Sequence, residues 1–80
     1  MENEKRNLSI IANEIRKDWK GINPYAKEYL DAMQTLRSID DNYLYDSGTS
    51  VVAYFLSNAG TWKGSVAKEI KKELKSMLKL

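Results

Sequence analysis

Apolar residues return along this chain at steps of three and four, the spacing that gathers side chains on one side of an α-helix. The first such row is Leu8, Ile11, Ala12, Ile15 and Trp19. Glu14, Arg16, Lys17, Asp18 and Lys20 fall mostly off it, so an amphipathic helix is predicted over 8–20. Asn7 or Ser9 can cap its start, Gly21 can end it, and Ile10 is expected to widen the stripe. A second row, Ala26, Tyr29, Leu30, Met33 and Leu36, follows Asn23-Pro24. The Asn side chain accepts orphan backbone N–H groups, and proline at the first helical position sacrifices no hydrogen bond. A helix over 24–37 is predicted there.

The third stretch, 51-VVAYFLSNA-59, is apolar almost throughout. Val51-Val52 suits a strand, but the run does not alternate and no partner strand is evident, so a helix over 48–59 is predicted. Asp46 or Ser47 can cap it and Gly60 can end it in a left-handed conformation. A helix so apolar is expected at the centre of the domain, buried on several sides. The fourth helix, over 63–78 with Thr61 or Ser65 as cap, carries Val66, Ala67, Ile70, Leu74, Met77 and Leu78 as its stripe. Two heptads are too few to specify a coiled coil, so it is expected to pack on the third helix. Short connections make neighbours antiparallel. The expected fold is a small all-α bundle or orthogonal array of four helices, one domain over 1–80 with residues 1–6 frayed.

Composition narrows what such a domain can do. The chain has 80 residues, no cysteine and no histidine. Disulfides, thiolate metal sites and imidazole-based nucleophile pairs are therefore excluded. Catalysis would fall to carboxylates, Lys, Tyr or Ser alone, and neither an enzyme nor a cofactor is expected. The wholly apolar run Val51–Leu56 is too short to span a bilayer, and the charged start MENEKRN leads into no secretory-type segment. A cytoplasmic, non-membrane location is expected. Net charge is +2 but uneven: residues 25–50 sum to −3 and residues 63–80 to +4.

The acidic segment 38-SIDDNYLYDSG-48 holds the densest polar chemistry. A calcium loop starting at Asp40 would put Leu44 fifth, Tyr45 where the sixth-position glycine belongs and Val51 at the twelfth-position glutamate. Starting at Asp41 does no better, and nothing in the spacing makes Asp46 converge with Asp40 or Asp41 as an acid/base pair. A connector explains more: Asp40, Asp41 and Asn42 are turn residues, with Asp46 or Ser47 as the following cap. Its surface, with Asp40, Asp41, Tyr43 and Tyr45, is still one candidate partner-binding patch.

The other candidate is the last helix, where Lys68, Lys71, Lys72, Lys75 and Lys79 share a face. Glu69 and Glu73 at i,i+3 and i,i+4 spacing resemble an ordinary solvated surface, and no arginine is available there to read a base bidentately. Nucleic acid and an acidic protein are the alternative partners of Lys68, Lys71, Lys72 and Lys75. Among the aromatics, Trp19, Tyr29 and Phe55 are assigned to the core. Trp62 is expected to wedge between the last two helices, and Tyr25, Tyr43 and Tyr45 to be exposed.

Three segments, 9-SIIANEIRKDWK-20, 26-AKEYLDAM-33 and 46-DSGTSVVAYFLSNAGTWKGSVAKEIKKELK-75, resemble small helical proteins of uncharacterised activity carried by bacterial phages and integrative elements. The resemblance transfers no mechanism. It implies a context in the bacterial host cell, where small phage proteins without catalytic groups bind and block, or recruit, a larger host machine. Anti-CRISPR and other anti-defence inhibitors are of that kind. The expected function is thus non-enzymatic binding of a host protein or ribonucleoprotein, with nucleic-acid binding by the lysine face as the alternative.

Overall fold

In the computed structural model, which describes residues 6–43 and 46–78 (only the backbone at 42, 43 and 46), the predicted periodicity becomes helices α1 (Leu8–Asp18), α2 (Pro24–Met33), α3 (Gly48–Ser57) and α4 (Ser65–Leu78). A two-residue antiparallel pairing, β1 (Asn42–Tyr43) with β2 (Asp46–Ser47), interrupts the α2–α3 connector. The sequence reading had only turns there.

Local chemistry sets most of the helix starts. Asn7 accepts from the Ser9 N–H at 2.9 Å, Asn23 from Ala26 at 2.9 Å and Ser47 from Ser50 at 3.1 Å, each satisfying an orphan donor of the first turn. α4 differs: neither Thr61 nor Ser65 precedes it as a cap, since Ser65 is already helical. Gly64 stands before it at φ 114°, a left-handed conformation that side-chain-bearing residues avoid. Gly60, expected to adopt that conformation, does not. The ends fall short of the prediction. α1 stops at Asp18 because Trp19 turns extended and enters the core, and α2 stops at Met33, beyond which Gln34 and Thr35 form a turn.

Tertiary contacts fix the directions. Arg6, just before α1, meets Glu73 of α4, while Asp18 at the far end of α1 meets Trp62 just before α4. The N–H groups of Leu8 and Ser9 donate to the carbonyls of Arg37 and Leu36, and Arg16 reaches Asp31. Asn23 at the start of α2 donates to the Asn58 carbonyl after α3. Consecutive helices, and α1 with α4, therefore run antiparallel in a ring in which α2 packs most extensively on α3 and α4 packs on both α1 and α3. The apolar α3 is thus one corner of the ring and not its centre: Val51, Val52 and Phe55 are buried, but Tyr54 is 50 % exposed.

The core draws on every helix and on the loops. Trp19, Phe55 and Trp62 form a trio in which Trp19 stacks on Trp62 at 5.7 Å between centroids and Phe55 meets both edgewise. Tyr29 is only partly buried, leaning on Tyr54 at 5.4 Å. Ile39, in the acidic connector, is buried at 4 % exposure and pins that segment to the core. Ile10, expected to widen its stripe, lies off the buried row of α1 and is 51 % exposed, and Val66 is 42 % exposed at the rim of an open depression that it shares with Glu14, Lys17 and Asp18 of α1.

Candidate functional site

The two candidate patches fare differently. Asp41 is engaged in building the connector: its carboxylate accepts from the Arg37 N–H at 2.9 Å, and its carbonyl accepts from the Gly48 N–H at 2.7 Å. Asp40 is exposed, its N–H donating to the Ser38 hydroxyl. Tyr43 contributes backbone to β1, opposite Asp46, while its side chain and the whole of Tyr45 lie outside the described residues. Among the described residues, no three carboxylates converge as a metal site would require. Of the acidic patch, Asp40 alone is left as an exposed anion with a described position.

On α4 the charges segregate. At about 100° per residue, Lys68, Lys71, Lys72 and Lys75 occupy one sector roughly 100° wide, and Val66, Glu69 and Glu73 occupy the opposite flank, beside α1. Glu73 is held there by Arg6, whose Nε and Nη2 donate to its two oxygens at 2.8 and 2.6 Å while Nη1 donates to Glu14 at 2.7 Å. Arg6 falls within the segment expected to be frayed, and its side chain spans both carboxylates; residues 1–5 lie outside the described residues. Among the described residues no ion pair includes a lysine of α4, so the i,i+4 pairing read from the sequence is not formed.

Lys71 is the exception within that sector. Its Nζ donates to the Trp62 carbonyl at 2.6 Å and lies 5.8 Å from the centroid of the Trp62 ring. Burial, then the charges of Lys63 and Lys75, pull its pKa below the usual lysine value. Lys68, Lys72 and Lys75 are exposed. Two open depressions meet along this side: one is lined by Lys63, Lys68 and Lys71 with Gly64 and Ala67, the next by Lys68, Lys71, Lys72 and Lys75. They share Lys68 and Lys71, which makes one basic groove. Lys63 was missed from sequence because it falls outside the periodic row; the helix expected from residue 63 starts only at Ser65, which leaves Lys63 in the preceding loop. Lys79 lies outside the described residues.

Comparison with known proteins returns no matching family model, no matching curated protein and no matching solved structure. The fold and its surface chemistry therefore carry the functional reading. Among the described residues no helix is long and apolar enough to cross a membrane.

Two carboxylates outside the groove are held in ion pairs by arginines. The hydrogen bond from Arg16 holds the Asp31 carboxyl below its ordinary value, and Arg6 does the same for Glu14. A carboxyl whose folded pKa is depressed stabilises the fold above its unfolded pKa, near 4, and loses that contribution as pH falls through the lower folded value. Both carboxylates are 43–51 % exposed, so solvent screening keeps each pair to about 0.2–1 kcal/mol. Asp31→Asn is expected to cost about 0.5 kcal/mol near neutral pH and to flatten the decline in urea midpoint below about pH 4. An acid limb unchanged by Asp31→Asn would show that the Arg16 pair adds nothing.

Proposed function

We propose that this chain is a non-enzymatic interaction protein that docks onto an anionic surface of a larger macromolecule through the basic groove of α4. One observation carries the reading: Lys63, Lys68, Lys72 and Lys75 face solvent together, Glu73 is held by Arg6, and among the described residues no ion pair joins these lysines to Glu69 or to any other carboxylate. Uncompensated like charges repel, and a partner of opposite charge relieves that repulsion on binding. The acidic connector supports docking less well, because Asp41 is already engaged within the fold. The partner expected from the sequence, a host protein or ribonucleoprotein bound in the manner of an anti-CRISPR or other anti-defence inhibitor, is carried into this reading as part of the proposal.

The test is an affinity pull-down from bacterial lysate with tagged wild type and with Lys68→Glu/Lys72→Glu/Lys75→Glu, each with and without nuclease. A discrete protein or ribonucleoprotein held by the wild type and lost by the charge-reversed variant is the expected result. Retention that survives the reversal, and is lost instead on Asp40→Lys, would move the function to the connector.

A further inference from the structure

Resting on that reading, we infer that the anionic surface is the nucleic acid of a ribonucleoprotein, held by its phosphodiester backbone along Lys63, Lys68, Lys72 and Lys75 without regard to base sequence, the protein part supplying the discrete identity of the partner. The choice between nucleic acid and acidic protein turns on what else the groove offers. A stable protein interface is anchored by aromatic, Met or Arg side chains, and lysine is depleted from its centre. Among the described residues the groove presents no such anchor. Of the exposed large apolar side chains, Ile10 belongs to α1, Tyr25 to α2, Tyr54 to α3 and Val66 to the opposite flank of α4. Trp62 lines the groove but is enclosed at 2 % exposure.

Phosphates ask for less. Point charges on flexible stems neutralise them, and the release of condensed counterions supplies the driving force. Seven residues at 1.5 Å put about 10 Å between Lys68 and Lys75, the span of about three phosphates along one strand of a duplex. The planar forks of Arg, Asn and Gln that fix a base by two bonds are absent from the groove lining, and lysine, which can also reach guanine, acts there as a point charge on a flexible stem. Stacking of unpaired bases uses exposed rings, which the burial of Trp62 withholds. Lys71 keeps its bond to the Trp62 carbonyl, leaving four lysines for phosphates.

The number of lysines sets the measurement. Anisotropy titration of a short labelled duplex of mixed sequence should give a salt slope near −3.6, a roughly 150-fold loss of affinity between about 50 and about 200 mM salt. A single strand should give about −2.8, roughly 50-fold. Lys72→Glu/Lys75→Glu should abolish most retention, and Lys72→Ala/Lys75→Ala should lower the duplex slope by about 1.8. Lys17→Glu/Lys20→Glu on the α1 side should change little, and so should scrambling the duplex sequence. Far-UV circular dichroism checks that each variant is folded. Polyglutamate serves as the protein-like polyanion. If polyglutamate binds through Lys72 and Lys75 while nucleic acid does not, the partner class is wrong and the docking surface stands. If neither binds, both the inference and the proposed function fail. Nucleic-acid binding that ignores salt or the charge reversal overturns the inference as well.

Discussion

Trp62→Ala should bring the domain to the edge of unfolding, lowering the thermal midpoint by about 12 °C or more. The indole is 2 % exposed, stacked on Trp19 and edge-on to Phe55. Truncating a buried tryptophan costs about 3–5 kcal/mol through lost transfer free energy and the cavity left behind. A chain of 80 residues has about 4–12 kcal/mol of total stability. In domains of this size each kcal/mol moves the midpoint by about 4–8 °C. The lost bond from Trp62 Nε1 to Asp18, 2.8 Å long, adds little, because Asp18 is exposed and water replaces the donor. Trp62→Phe, which keeps most of the apolar area, should therefore cost much less than Trp62→Ala. Thermal melts followed by far-UV circular dichroism decide the matter. A drop of under about 5 °C for Trp62→Ala would mean that the aromatic trio is not the centre of the core.

The importance of Trp62 was only half visible in the sequence, and the reason is general to this chain. Features set by neighbours along the chain were legible. Asn23-Pro24 opens α2 as expected, and Ala67, Ile70, Leu74 and Met77 form the buried stripe of α4. Features set by which elements meet were not. Ile10 and Ile11 are equally apolar, yet Ile11 is fully buried and Ile10 half exposed, a distinction made by where α2 and α4 sit. Ile39 belongs to no periodic apolar row, and its burial depends on the connector folding back on α3. Gly60 and Gly64 both suit a left-handed turn, and the path of the α3–α4 loop selects Gly64.

The same division runs through the candidate site. The lysine row was readable from spacing, because i,i+3 and i,i+4 positions share a face whatever the tertiary structure. Its lack of ion pairs was not, because Glu73 is taken by Arg6, 67 residues away in sequence, and exposed Glu69 pairs with none of these lysines among the described residues. Lys71 looked equivalent to Lys68 and Lys72 until Trp62 offered it a carbonyl and a ring face. The acidic connector invited a functional reading by its density of aspartates. Asp41 instead spends its side chain on the Arg37 N–H, the local bonding that makes aspartate common in turns.

Gly48→Ala should be nearly as damaging as the loss of the tryptophan, although it adds a single methyl group. A Cβ built at Gly48 would lie 2.6 Å from the Ile39 carbonyl oxygen and 3.0 Å from that of Asp41. Both obstacles are backbone, so no side-chain rotation relieves the contact. Either the connector moves outward, withdrawing Ile39 from the core, or α3 shifts and strains the 2.7 Å bond from the Gly48 N–H to the Asp41 carbonyl. Overpacking of this kind costs about 1–3 kcal/mol, and a weakened buried hydrogen bond adds about 1 kcal/mol or more. The expected total is about 2–4 kcal/mol, or roughly 10–30 °C in midpoint. Gly21→Ala and Gly60→Ala are the controls, since nothing lies within 4 Å of a Cβ at either position and neither holds a left-handed φ. Both should be neutral or slightly stabilising, by up to about 1 kcal/mol, through the lower conformational entropy of the unfolded chain. Equal midpoints for Gly48→Ala and Gly60→Ala would show that the connector yields freely. The close approach of Ile39 and Asp41 to the start of α3 would then contribute nothing to the fold.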